Sequence, residues 1–164
     1  MVKRLGPTVL TLMLLFVPGK AYADITAFLG VTPTPTNRVT RGFAGGAGLL
    51  IVAFEFEYAN TVEDKVKFAP ALRTFMFNGL VQTPIPIAGM QFYGTAGGGG
   101  YRESFTGVTQ TIKETNVGYN VGGGVKMSIF GPLRLRLDYR VFKLSGEPQH
   151  SNVHRFYAGA NLKF

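Results

Sequence analysis

The sequence predicts an all-β protein: an eight-stranded antiparallel up-and-down transmembrane β-barrel that follows a cleaved signal peptide. Three observations predict it. Apolar and polar residues alternate with period two in segment after segment, which gives a strand two unlike faces. The connections between these segments alternate between long polar and short ones, the loop pattern of membrane barrels. The chain also opens with the charge and hydropathy order of an exported protein.

Residues 1–23 read as a signal peptide. Lys3 and Arg4 supply a basic start, residues 5–17 are almost wholly apolar, and Pro18-Gly19 breaks the run. Ala21-Tyr22-Ala23 then offers a small-x-small cleavage site. The apolar core is about 13 residues, too short for the roughly 20 that a spanning helix needs. Cleavage before Asp24 leaves residues 24–164 as one barrel domain. It also removes Lys3, Arg4 and Lys20, so the formal charge falls from +8 to +5.

The strands follow in order. Ile25–Thr32 and Arg41–Leu49 are the first two, weakly patterned. The third, Val52–Ala59, sets Val52, Phe54, Phe56 and Tyr58 against Ala53, Glu55, Glu57 and Ala59. Ala71–Leu80 and Met90–Arg102 are the fourth and fifth, again weak. In Asn116–Ile129, Val117, Tyr119, Val121, Val125, Met127 and Ile129 oppose Asn116, Asn120, Lys126 and Ser128. Leu133–Arg140 sets Leu133, Leu135, Leu137 and Tyr139 against Arg134, Arg136, Asp138 and Arg140. The last, Arg155–Phe164, sets Phe156, Ala158, Ala160, Leu162 and Phe164 against Arg155, Tyr157, Asn161 and Lys163. Long connections are expected at 33–40, 60–70, 103–115 and 145–154. Short ones are expected near 49–51 and at 130–132, with a longer one at 83–89. The turn after Gly48 has no turn residue of its own.

An alternating strand buries its apolar face in a soluble protein and turns that face to lipid in a membrane barrel. Here the apolar face is bulky and aromatic on strand after strand. A narrow eight-stranded barrel has room for only a filling of side chains. The charged face must therefore point inward, where Glu55, Glu57 and Asp138 can pair with Arg73, Lys126, Arg134, Arg136, Arg140 and Arg155. Buried charges need such partners, because desolvation costs several kcal/mol per ion.

The signal peptide, the eight alternating strands and the terminal GANLKF together make residues 24–164 resemble the small outer-membrane β-barrel domains of the OmpA and OmpX kind, a porin-like family of the Gram-negative cell envelope. The resemblance implies an outer-membrane protein with both termini in the periplasm. It also implies that Gly159, Leu162 and Phe164 form the signal read by the outer-membrane assembly machinery. Outer-membrane lipid and lipopolysaccharide are the other implied partners, and the implied state is a monomer. Two features depart from the family pattern. Ala158 stands where a polar residue usually precedes the Gly, and no Trp is present for the interfacial girdles.

Little in the chain suggests catalysis. The glycine runs 45–48, 97–100 and 122–124 lack the Lys-Ser/Thr of a phosphate loop and the spacing of a dinucleotide fingerprint. Glu55 and Glu57 resemble an acid/base pair, but neighbouring arginines would keep both ionised, whereas a general acid needs a proton to give. His150 and His154 with Ser151 and Glu147 match no hydrolase spacing, and two histidines with no cysteine make no metal site. No cofactor is expected. The basic residues alternate with lipid-facing aromatics, so a nucleic-acid surface is not expected. Lys65, Lys67, Arg102, Lys113 and Lys143 fall in or near the long connections, where they meet water or neutralise lipid headgroups.

The expectation is an integral outer-membrane barrel with a structural or surface-interaction role and no catalytic chemistry. Alternatives are a narrow channel for small solutes, a barrel enzyme acting on lipid, and a soluble periplasmic binding barrel of lipocalin type.

Overall fold

The computed structural model describes residues 21–106 and 111–164. They form eight strands: β1 (Ala21–Thr32), β2 (Arg38–Leu49), β3 (Val52–Thr61), β4 (Ala71–Gln82), β5 (Met90–Thr106), β6 (Thr111–Phe130), β7 (Leu133–Leu144) and β8 (Asn152–Lys163). Each strand pairs antiparallel with its sequence neighbours, and β8 returns to β1, closing the barrel. The seam runs from Asp24↔Lys163 to Val31↔Phe156. It ends on a two-way link: the Phe164 amide donates to the Ala23 carbonyl at 2.8 Å, and the Phe164 carbonyl oxygen accepts from the Ala23 amide at 3.3 Å. Closure leaves no sheet edge unpaired, a requirement for any sheet in hydrocarbon.

The body of the expected signal peptide, residues 1–20, lies outside the described residues. Ala21 and Ala23, expected at the cleavage site, stand in the first strand opposite Leu49 and Ala47. Most strands run a few residues past their expected ends, and the largest difference is in the third long connection. The long connection expected at 103–115 is mostly strand, because β5 runs to Thr106 and β6 starts at Thr111. That hairpin carries polar residues such as Glu103, Lys113 and Glu114 on strands, so its composition reads as loop. The second turn is Leu50-Ile51, inside the 49–51 expected for it, with Leu50 at φ 45°. An apolar residue in a left-handed conformation carries no sequence signature.

The outer face is apolar. Leu29, Phe77 and Val121 are each 60% exposed or more. Phe43, Tyr58 and Phe75 pair across β2, β3 and β4, with ring centroids 5.4 and 4.9 Å apart. On the other side Tyr139 stacks on Phe156 at 4.4 Å. Monomeric proteins in water rarely expose an apolar patch above a few hundred Å². A face built this way needs lipid.

The interior stays narrow through close packing of aromatic on glycine. Tyr93 on β5 lies over Gly124 on β6, where a Cβ would meet the Tyr93 hydroxyl at 2.5 Å. Phe28 on β1 occupies the space above Gly42 on β2 in the same way. A side chain at either position would push a lumen aromatic out of place.

Candidate functional site

Inward positions of seven strands converge on a layered ion-pair network that fills the lumen. Toward the short-turn end, Asp24 Oδ2 accepts from Lys126 Nζ at 2.5 Å and from Arg134 Nη2 at 3.0 Å. Arg134 also donates to Asn161 Oδ1 at 2.7 Å and to Gln91 Oε1 at 3.1 Å. The middle layer joins Glu55, Arg136, Asp138 and Arg140. Arg136 grips both oxygens of Glu55, Arg140 Nη2 donates to Glu55 Oε1 at 2.9 Å, and Arg140 Nε donates to Asp138 Oδ1 at 2.9 Å. Tyr93 ties this layer together, accepting from Arg136 Nε at 2.7 Å and donating to Asp138. Above it, Glu57 Oε1 accepts from Arg155 Nη1 at 3.0 Å, and Glu57 Oε2 lies 3.1 Å from Arg140 Nη1. Arg155 also donates to Thr74 Oγ1 at 3.1 Å.

Four carboxylates thus face five cationic side chains, all buried. Ions taken out of water are tolerated only where geometry and further hydrogen bonds compensate. Arginine suits the task, since its rigid fork meets a carboxylate through two bonds at once. Between Tyr22, Asp24, Ala53, Glu55, Leu80 and Lys126 the remaining gap has no room for a water molecule.

Glu55, Glu57, Lys126, Arg134, Arg136, Asp138, Arg140 and Arg155 all lie in this network. Arg73 does not: it stands on the outer face, exposed, in phase with Phe75 and Phe77. The β4 sequence is apolar on both faces, with Leu72, Met76 and Leu80 turned inward, so its alternation does not say which way Arg73 points. Asp24 is the member that sequence reasoning missed. Its phase with Thr26 and Phe28 along β1 was the available signal. A second omission is the apolar plug above the ions, where Leu72, Met76, Tyr101, Phe142, Leu144 and Val153 pack together. Arg155 lies 4.3 Å over the Phe142 ring and joins the two layers.

The long connections are tied down at this end. Tyr101 donates to the Ser145 carbonyl at 2.5 Å, and Gln149 Nε2 to the Phe68 carbonyl at 2.8 Å. Glu103, beyond the apolar band, accepts from the Gln149 amide at 3.0 Å, and its burial raises its pKa above the usual carboxylate value. His154 lies on β8 on the outer face rather than in a loop, its Nδ1 2.8 Å from the Tyr139 hydroxyl. Among the described residues no group of His, Asp and Glu is placed to hold a metal ion.

Gly159, Leu162 and Phe164 occupy the seam. Gly159 pairs with Phe28 and Arg136, where a Cβ would meet the Ala27 carbonyl at 2.7 Å. Leu162 and Phe164 are exposed on the apolar face.

No family model and no curated protein matches the chain. Solved structures do. The N-terminal β-barrel domain of Pseudomonas aeruginosa OprF superposes with a TM-score of 0.70 at 14% identity, covering 89% of this chain and 99% of that domain. Neisserial surface protein A gives 0.63 at 15% identity, with 87% and 94% covered. The attachment invasion locus protein Ail of Yersinia pestis gives 0.59 at 14% identity, with 90% and 100% covered. The chain has the fold of the small eight-stranded outer-membrane barrels. Identity this low conveys architecture, and one architecture serves many functions. What distinguishes this barrel is its own interior and surface.

Proposed function

We propose that this chain is an integral outer-membrane protein whose barrel acts as a closed, non-catalytic anchor. The long-connection end then meets the outside, and both termini face the periplasm. The carrying observation is the lumen, occupied from Asp24 to Arg155 by buried ion pairs and then by an apolar plug. Solute passage would require breaking several of these pairs in a low-dielectric interior. The resemblance of the barrel to outer-membrane structures supports the location. Removal of residues 1–23 as a signal peptide belongs to this reading, as do assembly through Gly159, Leu162 and Phe164 and a monomeric state.

A chain with no cysteine gives a clean test of topology. Lys65→Cys in a long connection should react with a membrane-impermeant thiol reagent on intact cells, and Ile85→Cys, in the 83–89 connection at the opposite end, should not. Planar bilayers containing the folded protein should show no stepwise conductance. Reversed labelling would invert the topology, and steady ion channels would replace the anchor with a pore.

A further inference from the structure

On the outer face, Arg41, Asn60, Arg73, Arg102 and Thr115 lie opposite one another in unbroken succession across β2 to β6. The three arginines are exposed, and the row stands one outward position beyond the Phe43–Tyr58–Phe75 ladder. Followed the other way from Arg41, the same line meets Leu29, Ala158 and Leu137, so the row covers one side of the barrel only, and Lys143, exposed near the end of β7, stands apart from it. Arg73 and Arg102 are directly opposed like charges, an arrangement that destabilises a sheet. Among the described residues every salt bridge lies in the lumen, so no carboxylate answers this row. Its one side-chain hydrogen bond runs from Arg102 Nε to Thr115 Oγ1 at 3.1 Å.

Beside Arg41 and Asn60 the outer face carries a groove of about 770 Å³. Its floor is Ala27, Ala158 and Ala160, with Phe43 and Leu135 rising on either side. A basic row at the edge of an apolar band, with a groove leading from it into that band, matches the chemistry of an acylated anion.

We propose that Arg41, Arg73 and Arg102 form a docking site for the phosphate of an outer-leaflet lipid, with one acyl chain lying in the groove below Arg41. Guanidinium forks take phosphate oxygens in pairs, and a bound dianion turns the Arg73–Arg102 repulsion into a shared attraction. Arg73, unused in the lumen, has its role here. The site rests on the reading that the barrel lies in a membrane with this end outward.

The test uses the folded full barrel in detergent, with native mass spectrometry counting retained lipid. The probes are dimyristoyl phosphatidic acid, dimyristoyl phosphatidylcholine and inorganic phosphate. Phosphatidic acid should be retained over phosphatidylcholine. Each arginine changed to glutamine should weaken that preference about fivefold, as expected of a basic residue at a lipid surface. Lys163→Gln, at the opposite end of the barrel, should leave it intact. Ala158→Phe, which fills the groove, should lower retention of the acylated probe while leaving the arginines in place. Equal retention of the two lipids, or an Arg73→Gln/Arg102→Gln barrel with unchanged preference, overturns the site. Competition by inorganic phosphate as effective as by phosphatidic acid overturns the acyl part. A heat-shifted folded band on the gel, checked for every variant, reports the barrel separately. Its absence in the unaltered protein would count against the membrane reading instead.

Discussion

Arg136 on β7 and Glu55 on β3 close a two-bond ion pair across the lumen, although 81 residues separate them in the chain. Neither side chain is more than 2% exposed. Strands that are not neighbours in the sheet are thereby joined through the interior.

Removing Glu55 should therefore be costly. In Glu55→Ala, Arg136 and Arg140 each lose a buried anion, and breaking such a pair from one side costs about 3–5 kcal/mol. Urea unfolding in lipid vesicles, followed by the heated-versus-unheated gel shift, should show a loss of that size. A loss below about 1 kcal/mol would mean that water enters the lumen and screens the pair.

Val121 lies midway along β6 and is 60% exposed on the outer face. Val121→Arg should cost about 2–4 kcal/mol in a bilayer, the penalty for a midplane charge. The same variant in a zwitterionic detergent micelle should lose less. Equal stability of variant and parent in vesicles would move the apolar band away from this position.

Gly99 and Gly100 are adjacent on β5 but point to opposite faces. A Cβ on Gly99 would run into the Phe75 carbonyl oxygen, whereas on Gly100 the nearest atom is 4.0 Å away. Gly99→Ala should therefore destabilise by about 1–3 kcal/mol, the usual cost of overpacking. Gly100→Ala should be neutral within error. The difference between the two midpoints, measured side by side, is the test.

Glu103 predicts the pH response of the long-connection end. Arg38, His150 and Glu114 also act on it, but burial is the largest influence and raises its pKa above the usual carboxylate value. The folded state then holds its proton more tightly than the unfolded one. Stability at this end should rise as pH falls from neutrality through the raised pKa, and level off below the unfolded value. Glu103→Gln should flatten that rise. Limited proteolysis of the 145–151 connection across this pH range is the measurement, and an unaltered profile in the variant would exclude Glu103 as the titrating group.

Much of the architecture was legible because side-chain direction along a strand is local. Leu133 to Arg140 declares two faces with no reference to any other part of the chain, and the same holds for Val52 to Ala59. Strand number follows from counting such segments. The inward turn of the charged face follows from the small interior of an eight-stranded barrel. Where both faces of a strand are apolar the signal fails, and Arg73 on β4 is the case in point. The Leu50-Ile51 turn was hard to place for a similar reason, since its backbone is set by strand pairing rather than by its residues.

Partnership is another matter. Alternation says that Glu55 and Arg136 both face the lumen, but it does not say that they meet. Their meeting depends on the register of every strand between them, and a slip of one residue in any ladder would turn a charge out toward lipid. The seam β1–β8 settles the sum of those registers, and closure also brings Asp24 to Lys126 across 102 residues. The row Arg41–Asn60–Arg73–Arg102 is likewise a product of register, since its members share no spacing in the sequence. Where a strand alternates cleanly, the chain alone determined which face is charged and which is apolar. Only the closed barrel decided which charges neutralise one another, and that Arg41, Arg73 and Arg102 line up on the outer face.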